Sequence, residues 1–350
     1  MISTLGYAAH STTTPLVPWT FERRDPGARD IQIDILFCGI CHSDLHTVRG
    51  EWGAGKFPQV PGHEIVGRVT AVGDNASKHK VGDMVGVGCF VDSCRTCSSC
   101  QQGLEQYCEK GSTGTYGGTE KQTGKPTQGG YSKTIVVDED FVLRIPTGLD
   151  PAAAAPLLCA GITTYSPLRT WEAGPDKRVG VVGLGGLGHM AVKLAKAMGS
   201  HVTMFTTSPS KVEDAQRLGA DNVVISKDAG AMRKVRNSLD LIIDTVSAPH
   251  DLDSEFALLR RDGTLVLLGG SPQPHPSPSV WPFITKRLRL SGSLVGGIPE
   301  TQEMLDFCAE HGLGSDIETI GADYINEAYE RMLKSDVKYR FVIDVSTIKE

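Results

Sequence analysis

Over residues 1 to about 150, apolar positions come in short bursts. The runs "DIQIDILFCGI" (30–40), "IVGRVTAVG" (65–73), "DMVGVGCFV" (83–91) and "KTIVVDEDFVLRI" (133–145) are bounded by Gly, Pro and Asp, with no long amphipathic helix between them. Bursts of this length, rich in β-branched residues, predict a partly closed all-β body with loop excursions. Near residue 155 the period changes. In "RVGVVGLGGLGHMAVKLAKAMG" (178–199) an apolar strand runs into a glycine turn and then a helix. Met190, Leu194 and Met198 recur every four positions beside Ala191 and Ala195, Lys193 and Lys196 face away, and Gly199 stands as a C-terminal cap. "HVTMF", "NVVI", "LDLIIDTV", "GTLVLLG" and "LRLSGSLVG" follow as strands, with "SKVEDAQRLGA" as a helix. Alternating strands and helices call for a parallel sheet covered on both faces, here a doubly wound dinucleotide fold. From about 298, "ETQEMLDFCAEHG" and "INEAYERMLKSD" read as helices and "YRFVIDV" as a strand. This tail is expected to rejoin the first body. The predicted organisation is therefore α/β: a β-rich domain over 1–153 and 298–350, and a nucleotide-binding domain over 154–297.

Composition narrows the function classes. With 350 residues, 40% hydrophobic and 22% charged, the chain has the make-up of an ordinary globule, long enough for two cores. A formal charge of −6 argues against a nucleic-acid or anionic-membrane partner. The first residues lack a basic region followed by an apolar run, and no stretch reaches the roughly 18 apolar residues of a membrane span. The expected setting is cytoplasmic, where thiols stay reduced.

That setting decides how the nine cysteines are read. Cys94, Cys97, Cys100 and Cys108 fall in "CRTCSSCQQGLEQYC" with spacing C-x2-C-x2-C-x7-C. Four thiolates in so short a loop suit one tetrahedral zinc, with bonds of roughly 2.3 Å and no position left for substrate. The site is expected to be structural, holding a lobe over about 89–115. A nucleic-acid-binding finger would want a basic helix beside the metal, whereas Arg95 and Lys110 are offset by Glu105 and Glu109.

Gly183, Gly185 and Gly188 spell G-x-G-x-x-G between an apolar strand and an amphipathic helix, with Gly186 and Leu187 completing the turn. There the first glycine permits the turn, the second lets backbone N–H groups approach a pyrophosphate, and the third lets helix and strand pack closely. An NAD site usually ends its second strand with an acid. Here "HVTMF" leads into Thr206, Thr207, Ser208 and Lys211. Hydroxyls and an ammonium suit a 2′-phosphate, so NADP(H) is expected. The remaining chemistry-bearing residues group as "CHSDLH" (41–46), "PGHE" (61–64) and "LLCAGITTY" (157–165). Cys41, His63 and Cys159 would supply two sulfurs and a nitrogen to a second zinc with one open position. Any one of them alone reads as an ordinary buried residue.

"GICHSDLH", "PGHEIVG", the four-cysteine lobe, "GITTYSPL" and "GLGGLGH", in that order, make the chain similar over its full length to the zinc-containing medium-chain alcohol dehydrogenases. Within them it most resembles the cinnamyl-alcohol-dehydrogenase-like branch and its bacterial NADPH-dependent aldehyde reductases. The resemblance implies a GroES-like catalytic domain plus a Rossmann domain, two Zn2+ per subunit, NADP(H), an aldehyde or alcohol substrate and a homodimer. It implies that Cys41, His63 and Cys159 hold the catalytic zinc, with Glu64 behind it as a transient ligand. By the same resemblance Asp44 orients His63, and Ser43 and His46 form a proton relay. His42 and Arg340 are implied at the pyrophosphate, Thr163 at the nicotinamide side, and Thr245 and Ser293 at cofactor-facing strand ends. Trp52, Phe90, Trp281 and Phe283 are candidates to line an apolar cleft, and the proline-rich run 271–283 to border it or a subunit contact. A polyol dehydrogenase, a zinc-free quinone reductase and a non-catalytic nucleotide sensor are the competing readings.

Overall fold

The computed structural model describes residues 1–53, 55–271 and 273–349. Pro272, inside the proline-rich run, lies outside the described residues. The chain forms two compact units, 1–162 with 296–350, and 163–295. The first division falls inside the helix Ala160–Thr170, a little beyond the change of sequence pattern near 155 that set the expected boundary at 153/154.

The first unit is built on a seven-stranded sheet. Its long strand Asp30–Gly39 pairs antiparallel with Ile65–Val72, Thr134–Asp138 and Arg340–Asp344. The last of these pairings draws the C-terminal tail back onto the N-terminal body. Ile31, Ile33, Ile65, Val66 and Phe341 are fully buried between the strands. A separate antiparallel pair, Ile2–Ala8 with Val17–Arg23, has no counterpart in the sequence reading. Its strands contain Gly6 and Pro18, and Pro15 lies between them; these break the burst pattern.

The cysteine lobe leaves this body through a short antiparallel pair, Phe90–Asp92 with Thr113–Gly114. Inside it are one helical turn, Ser98–Gln101, and the 3-10 turn Glu105–Tyr107. Glu105 Oε2 accepts the N–H of Ile298 at 3.0 Å, so the lobe caps the helix Ile298–Glu310.

The second unit is a six-stranded parallel sheet. Its spatial order is Asn222–Ile225, His201–Thr206, Arg178–Val182, Leu239–Asp244, Leu259–Leu267, Arg289–Gly292, the 3-2-1-4-5-6 order of a doubly wound dinucleotide fold. The helix Gly188–Ala197 buries Met190 and Leu194 completely, as their spacing predicts, and Gly199 ends it at φ +91. Phe205, Ile242, Phe256, Leu259 and Leu265 belong to one buried apolar cluster in this unit. Among the described residues, no helix is long and apolar enough to cross a membrane.

Candidate active site and metal centres

The local grammar of "GICHSDLH" brings several groups to one point. Cys41 caps the helix His42–Val48, and its N–H donates to Asp44 Oδ2 at 2.9 Å. Asp44 is fully buried and also accepts from Gly62 N–H at 3.1 Å, Tyr131 Oη at 3.0 Å and His63 Nδ1 at 3.0 Å. A carboxylate on Nδ1 fixes the imidazole with its Nε2 lone pair outward, the tautomer a metal requires. Ser43 Oγ lies 3.4 Å from that Nε2. Cys159, where a 3-10 turn meets the helix Ala160–Thr170, faces Cys41 with sulfurs 3.9 Å apart. Two sulfurs on a tetrahedral zinc with bonds of roughly 2.3 Å lie about 3.8 Å apart, so the pair already has the required span.

Glu64 completes the group. One donor atom from each of Cys41, His63, Glu64 and Cys159 lies within 4.8 Å of all the others. Glu64 Oε2 is buried with no hydrogen-bond partner, a costly arrangement that a cation would relieve. The hydrogen bond from Cys159 pulls the Cys41 thiol well below its ordinary range, toward the thiolate that binds metal. Burial pushes the His63 imidazole down, but Asp44 and the neighbouring sulfurs outweigh it and the net shift is upward.

Arg340, which the resemblance implies at the pyrophosphate, is a buried residue. It is 4% exposed and donates to Glu64 Oε1 from behind the cysteine–histidine group. The physical reason is strand pairing. Ile40 N–H donates to Phe341 O and Gly39 N–H to Glu64 O, each at 2.9 Å, which locks Arg340 and Glu64 side by side. Burial opposes the guanidinium charge, but the Glu64 carboxylate and the Cys41 and Cys159 sulfurs overcome it and raise the pKa.

Glu51 and Cys89 escaped the sequence reading. Glu51 engages His46 Nδ1, and Trp52 stacks over the same imidazole with centroids 5.1 Å apart. With side-chain exposures of 17% and 42%, His46 and Glu51 lead from the helix toward water. Cys89 is a further, half-buried sulfur in hydrogen-bonding reach of Cys159. Of the other aromatic candidates, Phe90 is buried against Phe141, Phe283 packs on Phe256, and Trp281 is 66% exposed.

In the lobe, Cys94, Cys97, Cys100 and Cys108 also offer one sulfur each within 4.8 Å of one another. Backbone N–H groups point at the sulfurs: Cys97 N–H to Cys94 Sγ at 3.3 Å, Cys94 N–H to Cys108 Sγ at 3.4 Å and Glu109 N–H to Cys97 Sγ at 3.5 Å. The N–H groups of Thr96 and Cys97 bring the Cys94 thiol down to about 5, and those of Cys100 and Glu109 lower Cys97, while burial pushes Cys100 up to about 11. Four convergent sulfurs with amide donors aimed at them fit a structural zinc.

In the second unit, the glycine turn behaves as its spacing predicts. Gly183 has φ +89, and a Cβ on Gly188 would stand 1.8 Å from Gly183 O. A Cβ on Gly185 would meet nothing within 4 Å, so the backbone there borders open space. Lys211 Nζ reaches back to Leu184 O at 2.8 Å, placing an ammonium against the turn. Thr207 is exposed, whereas Thr206 is buried and accepts from Ser208 N–H at 3.2 Å, bracing the corner. Thr245 also braces it, donating to Val182 O at 2.8 Å, and Ser293 follows the edge strand. Thr163 lies buried in the helix Ala160–Thr170, and His42 opens the helix after Cys41.

A β-rich body with a cysteine–histidine–cysteine centre, a four-cysteine lobe and a parallel dinucleotide fold define a zinc-type dehydrogenase. Two family profiles match, "Alcohol dehydrogenase GroES-like domain" over residues 27–147 and "Zinc-binding dehydrogenase" over 186–310. The chain is 59% identical to the aldehyde reductase YahK of Escherichia coli K12 over 98% of both chains. It is 57% identical to NADP-dependent alcohol dehydrogenase C 1 of Mycolicibacterium smegmatis over all of both chains. The solved cinnamyl alcohol dehydrogenase of Helicobacter pylori complexed with NADP(H) superposes with a TM-score of 0.93 at 41% identity, covering 99% of each chain. The chain belongs to the zinc-containing medium-chain alcohol dehydrogenases.

Proposed function

We propose that the chain reduces aromatic and aliphatic aldehydes with NADPH, as a cytoplasmic zinc-dependent alcohol dehydrogenase. The observation that carries this reading is the meeting of Cys41, His63 and Cys159, from three distant segments, with a neighbouring carboxylate and a serine hydroxyl. In the bound state, zinc supplies Lewis-acid polarisation of a carbonyl oxygen and NADPH supplies the hydride. Cys41, His63 and Cys159 would hold the metal. Two thiolates and a neutral imidazole cancel its charge, so these ligands leave an acid of moderate strength. Asp44 keeps His63 in the ligating tautomer. Ser43 Oγ, beside the ligand nitrogen, is placed to deliver a proton to the product alkoxide, and His46 restores protons from solvent with Glu51 against its Nδ1.

NADPH oxidation with benzaldehyde and a series of straight-chain aldehydes tests the activity; a chain inert toward all of them is no aldehyde reductase. His46→Ala is expected to slow turnover by about 10- to 100-fold, because water partly replaces a relay. Steady-state rates in that variant check it, and a fall to the rate of the zinc-free protein would assign His46 another role.

Cofactor choice is read from the same turn. Thr207, Ser208 and Lys211 offer a 2′-phosphate hydroxyls and an ammonium with no carboxylate among them. Lys211→Ala is expected to lower kcat/KM for NADPH by about 10-fold or more, the scale of a charge-assisted contact, while changing NADH little. Parallel assays with both cofactors measure this, and an equal loss with each would remove Lys211 from the phosphate site.

A homodimer joined through the second units is supported by its edge. The strand Arg289–Gly292 ends the sheet, and Trp281, Ile284, Leu290 and Leu294 beside it are 66%, 67%, 40% and 54% exposed. An open strand edge flanked by apolar side chains suits pairing with a second copy.

A further inference from the structure

The second unit holds a group of donors that the aldehyde chemistry does not use. Asp244 ends the strand Leu239–Asp244, Glu255 sits in the short helix Asp253–Phe256, and His250 lies on the loop between them. His250 Nε2 is 3.1 Å from Asp244 Oδ2 and 3.1 Å from Glu255 Oε1. The carboxylates are nearly sealed from water, with side-chain exposures of 1% and 6%. Among the described residues, neither pairs with a lysine or arginine.

Glu255 Oε2, on the same carboxylate, is buried without any hydrogen-bond partner. His250 Nδ1 faces the carbonyl of Ala248 at 2.9 Å. Carbonyl and carboxylate oxygens only accept, so Nδ1 carries a proton and, without a cation, Nε2 carries one too; loss of the Nε2 proton to water would free that nitrogen to ligate while the backbone carbonyl keeps hold of the Nδ1–H. One donor atom from each of the three residues lies within 4.8 Å of the others. On a tetrahedral ion with bonds of roughly 2.0–2.1 Å, donors sit about 3.3–3.4 Å apart, close to the 3.1 Å from His250 Nε2 to each carboxylate.

We propose that Asp244, His250 and Glu255 form a third divalent-cation site, separate from both cysteine centres, that takes Zn2+ or a similar first-row ion. Two carboxylates and one neutral imidazole balance a charge of +2, where without the ion two carboxylates share a sealed corner with one imidazole. An imidazole–carboxylate set is borderline in softness and suits Zn2+, Co2+ or Mn2+. Water takes the remaining position, reaching it past His250, whose side chain is 24% exposed. His275 packs edge-on against His250, with centroids 4.9 Å apart, and shields one flank. The ion would pin the loop that begins with Thr245, the residue whose hydroxyl braces the glycine turn.

Purified full-length protein, dialysed against buffered micromolar Zn2+ and counted by elemental analysis, tests the site. Wild type is expected to hold one equivalent more than His250→Asn and one more than Glu255→Gln, with aldehyde turnover unchanged in both variants. Equal zinc in all three would overturn the proposal. The comparison is a difference, so it does not depend on how many ions the cysteine centres carry. A readout on wild type alone covers the case of misfolded variants. Zn2+ is expected to protect His250, but not exposed His10, from acylation by diethyl pyrocarbonate mapped by mass spectrometry; equal labelling of His250 with and without Zn2+ would likewise overturn it.

Discussion

Cys41→Ser is expected to lower aldehyde turnover by about a thousandfold or more and to remove one equivalent of zinc, while the protein stays folded. Lewis-acid stabilisation at a catalytic metal is worth several kcal/mol, and each 1.36 kcal/mol is about tenfold in rate. The fold is spared because Cys41 contributes to its helix through backbone groups. Its N–H bonds to Asp44 and its carbonyl accepts the N–H of Asp44 at 3.1 Å, and a serine preserves both. Glu64 and Arg340 retain each other, so no buried charge is orphaned by the change. Steady-state kinetics, zinc analysis and circular dichroism of the variant together check this. Full turnover with full zinc would show that the metal, if bound, sits elsewhere.

Cys97→Ser should do the reverse, lowering stability far more than it lowers the rate per folded molecule. The lobe has little apolar surface of its own. Its sulfurs are held by backbone N–H groups and its strand pair is two to three residues long. In isolated zinc-finger peptides, metal binding supplies on the order of 10–16 kcal/mol of folding energy. The lobe here also rests on the first unit through Glu105 and Ile298, so a smaller loss, roughly 3–5 kcal/mol, is expected, or a fall in Tm of about 10 °C. Scanning calorimetry with zinc analysis measures it. An unchanged Tm at one equivalent less zinc would make the lobe metal-independent.

The parts legible in the sequence are those whose chemistry is local or rare. Four cysteines within fifteen positions, a glycine turn between a strand and a helix, and Met190 and Leu194 on one helical face carry their meaning in their spacing. Cys41, His63 and Cys159 are visible because cysteine and histidine are scarce and their neighbours distinctive. What stays hidden depends on long-range pairing. Arg340 and Glu64 are 276 residues apart, and only the docking of the strand Arg340–Asp344 on Asp30–Gly39 joins them. Glu51 is one acid among 41 acidic residues until the turn after the helix His42–Val48 folds it onto His46. The aromatic candidates show the same limit. Phe90 packs on Phe141 and Phe283 on Phe256, partners that composition does not reveal.

The convergence of Cys41, His63 and Cys159 on a reactive zinc is tested most directly by metal removal and return. Zinc is stripped from the purified protein with a chelator and restored stepwise, and benzaldehyde reduction by NADPH is followed at each step. Activity is expected to vanish with the catalytic equivalent and to return in proportion as wild type, but not Cys41→Ser, regains it. A stripped protein that reduces the aldehyde at the full rate, or a Cys41→Ser variant that recovers with added zinc as wild type does, would contradict the account.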